Sequence, residues 1–253
     1  MASTTQTQEA PLQPSTASQP PKPTESSPTA AAPPQAGGGN ASEKEPKEQK
    51  AFERWTRTLS LITGVGLSQE EFQAEIDKID RKKCELRKEQ LIKTSPGVRF
   101  MMNNLVKSGC PLTKNMVECG PCDNTKAGGF SKDHGILLCQ NGFFSKKHQE
   151  HTMIHEMIHM YDHCVFNVDW DNLRHHACSE IRAAALGGDC NWSREVRRGF
   201  YTFTKQHQEC VKRRATLSVQ GNPKCPSRDA AEKAVNAVFE SCYNDTRPFD
   251  EFY

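Results

Sequence analysis

Apolar positions recur at helical spacing over residues 68–93, where Phe72, Ile76, Ile79 and Leu86 punctuate a strongly charged segment. Ser68, with Glu71 three residues on, carries the capping-box signature that starts such a helix. After Ser145 the same spacing predicts helices over about 145–166, 172–186, 193–217 and 227–242, the second ended by Gly187-Gly188. Between these regions, 109–142 is rich in Cys and Gly and holds one short run of strand character, Gly135–Cys139. Residues 1–50 show neither period. They hold nine of the fifteen prolines and no aromatic residue, Cys or His, so they lack the apolar surface that would offset their ordering entropy. The pattern predicts a disordered segment over 1–50 and a mainly helical α+β domain over 51–253. No internal repeat is present.

Composition narrows the class. Hydrophobic residues make up 35% and mean hydropathy is −0.74, both low for a wholly folded chain and consistent with an unstructured part. No stretch approaches the roughly 18 apolar residues of a membrane-spanning helix, since Thr63, Gly64 and Gly66 interrupt Leu59–Leu67. An integral membrane protein is not expected. Lys plus Arg is 33 against 31 Asp plus Glu, which gives nucleic-acid binding no support. Residues 1–50 lack the apolar core of a secretory signal. They also lack Arg and carry Glu9, Glu25, Glu43, Glu45 and Glu48, unlike a mitochondrial presequence.

The sharpest chemical signal is His155-Glu156-Met157-Ile158-His159, an HExxH. Histidines four apart on a helix project from one face and can reach one zinc ion, and the adjacent Glu can take a proton from the water polarised there. His151, His155, His159 and His163 form an i, i+4 row, but only the 155/159 pair has Glu beside its first member. The alternative is an ordinary histidine-bearing helix, anchored by the stripe Ile154, Ile158, Tyr161 and Val165; that stripe fits both readings. His151 and His163 read as neighbours of the site, a turn beyond the pair.

A catalytic zinc takes three protein ligands and keeps one open position. The metzincin third ligand would fall at Val165, which excludes that class. In a gluzincin arrangement a Glu about twenty residues on supplies it, and Glu180 stands 21 residues after His159. Glu180 shares a helical face with Leu173, Ala177 and Ala184, so its charge is expected to be buried and to need a partner. The competing reading pairs Glu180 with Arg174 or Arg182. His176, one turn earlier, is the second choice of ligand or a donor to the transition-state oxyanion. Asp162, Asp169 and Asp171 are weaker ligand candidates that could instead orient a ligand histidine.

Eleven cysteines suggest disulfides, structural zinc or both, and the odd count leaves one thiol over. Cys110, Cys119, Cys122 and Cys139 could form a zinc site, but their gaps do not give paired knuckles. Cysteines 164, 178, 190, 210, 225 and 242 fall mostly near predicted helix ends, where stapling is the better reading. About five disulfides are expected, with Cys84, isolated in its charged helix, as the odd thiol.

The segment His151–Cys190, HTMIHEMIHMYDHCVFNVDWDNLRHHACSEIRAAALGGDC, resembles the core of the mitochondrial inner-membrane metalloprotease family that processes and helps assemble the ATP synthase. The likeness extends to Gly128–Asn141, His207–Cys225 and Asp245–Phe249, and runs from about Leu67 to the C-terminus. The resemblance implies a zincin-like, gluzincin-type, disulfide-stapled metalloendopeptidase with one catalytic zinc ion. It implies peripheral attachment to the inner membrane on the intermembrane-space side, a compartment that permits disulfides. It implies cleavage of the leader of ATP synthase subunit 6 (subunit a), and a chaperone role in that subunit's assembly that does not need proteolysis. His155, Glu156 and His159 fall on the family's ligand, base and ligand positions. Where a gluzincin often carries an acidic residue one turn after its ligand Glu, this chain has Ala184. Gly135–Cys139 is a candidate strand for pairing with an extended substrate. The rival readings are a non-catalytic assembly chaperone that retains the metal site and a zinc-binding interaction module. Glu156 favours the enzyme over the first.

Overall fold

The structure is a computed structural model that describes residues 47–123, 125–201 and 205–250. In chain order it contains α1 (Lys47–Thr63), α2 (Gln69–Thr94), α3 (Pro96–Lys107), β1 (Val117–Gly120), β2 (Gly128–Ser131) and β3 (Gly135–Cys139). There follow α4 (Lys146–Phe166), α5 (Leu173–Leu186), α6 (Trp192–Arg197), α7 (Gln206–Gln220) and α8 (Arg228–Tyr243). The architecture is mainly helical α+β. The disorder expected over 1–50 falls almost wholly on residues outside those described; 47–50 already lie in α1.

α2 begins where the capping box places it: the Ser68 side chain accepts from the Glu71 N–H, and the Glu71 carboxylate accepts from the Ser68 N–H. Its buried face, however, is Cys84, Lys88 and Leu91, whereas Ile79 and Leu86 are exposed. That face is set by what α2 meets. Cys84 is bonded to Cys119 on β1, and Lys88 Nζ donates to the Val117 carbonyl at 2.9 Å. α3 was not anticipated, although its signals are local: Ser95 caps it, accepting from the Val98 N–H, Pro96 occupies the first turn, and Val98, Met101 and Leu105 make its buried stripe. The helix expected over 193–217 is two, α6 and α7, with 202–204 outside the described residues.

The sheet order is β1-β3-β2. β3, the strand anticipated from sequence, is central: β1 runs parallel to it and β2 antiparallel, with Gly128 opposite Leu138 and Phe130 opposite Ile136. Both edges of β3 are therefore taken, and it cannot receive a substrate strand. α4 packs against β2, β3, α2 and α3 and, on another side, against α5; α5 packs in turn on α7 and α8. Met153, Met157, Ile158, Ala177 and Ile181 occupy the seam between α4 and α5 and the layers around it.

Five disulfides staple separate elements: Cys84–Cys119, Cys110–Cys164, Cys122–Cys139, Cys178–Cys242 and Cys190–Cys210. The odd thiol is Cys225, between α7 and α8, and not Cys84. A charged helix does not isolate a cysteine when one face of it is covered: Cys84 is 1% exposed. The four-cysteine zinc alternative also falls, because Cys110 and Cys119 bond to cysteines outside that set.

Candidate metal centre

α4 starts at Ser145, whose side chain accepts from the His148 N–H, and ends at Asn167 in the left-handed conformation. His155 and His159 lie one turn apart on it, and their Nε2 atoms stand 3.1 Å from each other. α5, capped by Asn172, brings Glu180 across from α4. Glu180 Oε1 is 3.4 Å from His159 Nε2, and its Oε2 is 3.9 Å from His155 Nε2. One ligand atom from each of His155, His159 and Glu180 lies within 4.8 Å of the others. Both imidazoles turn Nε2 inward, each with a polar side chain behind its Nδ1 atom. His155 Nδ1 lies 2.9 Å from Asp189 Oδ2, and His159 Nδ1 lies 2.8 Å from Ser179 Oγ. Two fixed imidazoles and a carboxylate converging on one point form a donor set that fits a zinc ion.

The electrostatics follow from burial and from these partners. Burial disfavours the charged ring of His155, but Asp189 outweighs it and raises the pKa to about 9. Burial takes His159 down to about 3. Burial also works against the Glu180 charge, yet His159 and then His176 hold its carboxyl well below the usual carboxylate range. Arg182 does not neutralise it. Arg182 is 1% exposed and is committed to Asp162, through Nε to Oδ1 at 3.0 Å, and to Asp245, through Nη1 to Oδ1 at 2.7 Å. Among the described residues, the ion-pair partners of Glu180 are His155, His159 and His176, and neither Arg174 nor Arg182.

Glu156 lies against β2 of the sheet and interacts electrostatically with His155 and Glu180. It is 5% exposed, accepts a hydrogen bond from the Phe130 backbone on β2, and burial pushes its pKa up to about 7. β2 approaches this closely only because residue 128 is glycine. A Cβ there would sit 2.8 Å from Thr152 Cγ2, 2.9 Å from the Leu137 carbonyl and 3.3 Å from Glu156 Oε1. The outer edge of β2 therefore runs beside the candidate base.

The remaining candidates separate cleanly. His176 Nε2 lies 3.3 Å from Glu180 Oε1, inside the site. Asp162 is not at the convergence point. It accepts from Ser179 Oγ at 2.9 Å, so Asp162, Ser179 and His159 form a chain that orients one imidazole. Asp169 and Asp171 stay in the α4–α5 connection, where the Asp169 carboxylate accepts from the Asp171 N–H. His163 lies against Phe130 and Trp170, and His151 is buried a turn before His155; neither joins the cluster.

Several functional neighbours had no role in the sequence reading. Asp189 reaches His155 because the chain reverses at Gly187, where a Cβ would lie 2.6 Å from the Ala183 carbonyl and 3.2 Å from His155 Cβ. The Gly-Gly-Asp run after a helix was the available signal. Asn222 donates through Nδ2 to His176 Nδ1 and to the Trp170 carbonyl, each at 2.9 Å. Its amide leaves the His176 proton on Nε2, directed inward. Trp170 walls the site, with its ring centroid 5.8 Å from those of both His159 and His176. Nothing in the local pattern marks Trp170 or Asn222, and the contacts of Asn222 with His176 and Trp170 cross 46 and 52 positions.

Comparison with known proteins places this geometry. The Peptidase M76 family matches residues 82–250. A Malassezia globosa protein described as mitochondrial inner membrane protease ATP23 is 52% identical over 70% of this chain and 79% of its own length. Proteins of the same description from Neosartorya fischeri and Yarrowia lipolytica are 47% and 46% identical, over 79% and 80% of this chain and 88% and 84% of theirs. No solved structure matches the chain.

Proposed function

The chain belongs to the Peptidase M76 family, and on that premise we propose that it is a zinc-dependent, gluzincin-type endopeptidase of the mitochondrial inner membrane. It acts from the intermembrane-space side, removes the leader of ATP synthase subunit 6, and separately chaperones assembly of that subunit. The observation that carries the catalytic reading is the buried Glu156 carboxylate set between the His155/His159/Glu180 cluster and the β2 edge. The resemblance of 151–190 to the processing family supports the substrate. The relatives' description as inner-membrane proteases, together with the lack of a helix long and apolar enough to span a bilayer among the described residues, supports peripheral attachment.

His155, His159 and Glu180 would hold the zinc ion, which supplies Lewis-acid polarisation of a scissile carbonyl and of the attacking water. Glu156 accepts the proton that this water loses and delivers it to the leaving amide nitrogen. A carboxyl raised toward neutrality by burial suits both transfers. His176, held as the Nε2–H tautomer by Asn222, directs that N–H at Glu180 Oε1, 3.3 Å away, and orients the carboxylate that would hold the ion. An extended substrate adds to the outer edge of β2, in place of the β3 strand expected from sequence.

The test incubates nascent subunit 6 precursor with wild type and with Glu156→Gln, alongside metal analysis of Glu180→Gln. Wild type should shorten the precursor and Glu156→Gln should leave it intact. Glu180→Gln should lower zinc affinity. An uncleaved precursor with zinc-loaded wild type would overturn the substrate assignment. Full zinc affinity in Glu180→Gln, with loss in His176→Ala, would transfer the third-ligand role to His176.

A further inference from the structure

α1 segregates its residues more sharply than any other surface element. Phe52, Trp55, Leu59 and Ile62 fall at i, i+3, i+7 and i+10 and form one stripe, each between 44% and 77% exposed. The Phe52 and Trp55 rings lie 6.0 Å apart along it. Val65, just past the helix end, is also exposed. Around the helix from this stripe stand Lys50, Arg54 and Arg57, the last paired with Glu75 on α2. The helix meets the rest of the domain on the side away from the stripe, where Thr56, Ser60 and Leu61 are half-buried and Arg57, one turn before Leu61, reaches Glu75.

We propose that α1 lies in the surface of an anionic phospholipid bilayer, its Phe52–Trp55–Leu59–Ile62 stripe inserted among the acyl chains and its basic residues at the headgroups. This rests on the reading of the chain as a peripheral membrane protease. An apolar stripe of Phe, Trp, Leu and Ile opposite a Lys/Arg-bearing face is the residue distribution of an interfacial helix. Trp55 matches the headgroup boundary, with an apolar ring and one N–H donor. Lys and Arg stems lie along apolar surface while their charges reach phosphate.

Two other occupants fit less well. The chain's own residues 1–46 have no Val, Ile, Phe, Trp or Tyr, and only Met1 and Leu12 as large apolar residues, a composition with little apolar surface to offer the stripe. A second copy paired through α1 would use a heptad seam of Phe52, Trp55, Leu59 and Ile62. That seam spans about two heptads, where a coiled coil needs roughly three to four. The seam is flanked by Ala51, Thr56, Thr58 and Thr63 and lacks the charged pairs that fix a partner helix.

The test floats the full chain with vesicles of phosphatidylcholine alone and of phosphatidylcholine with phosphatidylglycerol. Wild type should bind the anionic vesicles, and added salt should weaken binding. The combined variant Phe52→Ser, Trp55→Ser, Ile62→Ser should lose binding by at least about tenfold. It should keep wild-type thermal stability and hydrolysis of a soluble peptide, because these side chains are mostly exposed, with Phe52 and Trp55 in ring contact with each other. Lys50→Glu with Arg54→Glu should lower binding to the anionic vesicles more than to the neutral ones. Equal flotation of wild type and the triple variant overturns the proposal. So does a wild type that binds no vesicle, including one that is dimeric while the triple variant is monomeric. In that case, carbonate-releasable attachment to mitochondrial membranes would preserve the peripheral-protease reading and shift the contact to another surface.

Discussion

α2 and α4 are both long helices rich in polar residues, yet they are held in opposite ways. α2 spans Gln69–Thr94 and buries only Cys84, Lys88 and Leu91, with its other charged residues half-buried or exposed. α4 spans Lys146–Phe166 and buries Gln149, His151, Thr152, Glu156, His159 and Asp162 along with its methionines. A buried polar group is costly unless it is paired. Each side chain at the heart of α4 meets a partner from another element: Phe130 for Glu156, Asp189 for His155, Ser179 for His159, and Arg182 for Asp162. α2 is held by the Cys84–Cys119 bond, the buried Lys88 and the packing of Leu91. Where a helix buries charge, the surrounding chain is built around that charge, and function resides there.

The largest effect expected from this contrast is catalytic. Glu156→Gln removes the proton acceptor while keeping an acceptor oxygen for the Phe130 N–H. Peptide hydrolysis should fall on the order of 10² to 10⁴, with the thermal transition and metal content close to wild type. If subunit 6 processing and assembly are separate activities, cells carrying Glu156→Gln should retain uncleaved precursor yet assemble ATP synthase on native gels. Loss of assembly with a folded, metal-loaded variant would leave proteolysis as the only function.

Next comes the buried pair behind the site. Arg182 ties Asp162 to the C-terminal segment through the carbonyls of Asp245 and Arg247. Arg182→Ala strands an Asp162 carboxylate that is 1% exposed, and burial already raises its pKa to about 6 against the pull of Arg182. Denaturant unfolding should show a loss of about 3–5 kcal/mol. A loss below about 1 kcal/mol would mean that water reaches Asp162 and that α4 is no more committed to its partners than α2.

The sequence made α4 and α5 legible because their signals are local: a cap, a four-residue histidine spacing and a terminating glycine pair. It also brought His155, His159, Glu180 and His176 to one place and Asp162 behind them. What it left hidden depends on tertiary partners. β1 and β2 are four residues each, too short for periodicity to distinguish from loop. Asn222 and Asp189 act through contacts to His176 and His155, 46 and 34 positions away in the chain. Cys84 read as isolated because its pairing with Cys119 depends on a sheet that the pattern did not reveal.

That disulfide supplies a third, smaller effect. Cys84→Ser with Cys119→Ser opens a link across 35 residues and should reduce unfolding free energy by about 2–4 kcal/mol. Peptidase activity below the new transition should change little, because the bond fixes α2 to β1 and meets α4 at Gln149, more than a turn before His155, where Nε2 lies 3.6 Å from Cys84 Sγ. Cys225→Ser serves as the reference, since it breaks no link. A large loss of activity in the double variant at temperatures where it remains folded would show that α2 positions the site and would erase the contrast between the two helices.

The smallest effect tests which face of α2 is buried. Helical spacing grouped Ile79 and Leu86 with Phe72 and Ile76 as one apolar stripe, but Ile79 is 38% exposed and Leu86 53%. If Cys84, Lys88 and Leu91 are the face held against the domain, the two exposed side chains contribute little packing. Ile79→Ser and Leu86→Ser should each leave unfolding free energy within about 0.5 kcal/mol of wild type, as surface changes do. Leu91→Ala on the same helix, a residue 1% exposed, should cost about 2–5 kcal/mol. Measured side by side, the three substitutions separate the periodicity of a helix from its burial. A loss of several kcal/mol at Leu86 with little at Leu91 would mean that α2 is rotated about its axis, and the link from Cys84 to Cys119 would fail with it.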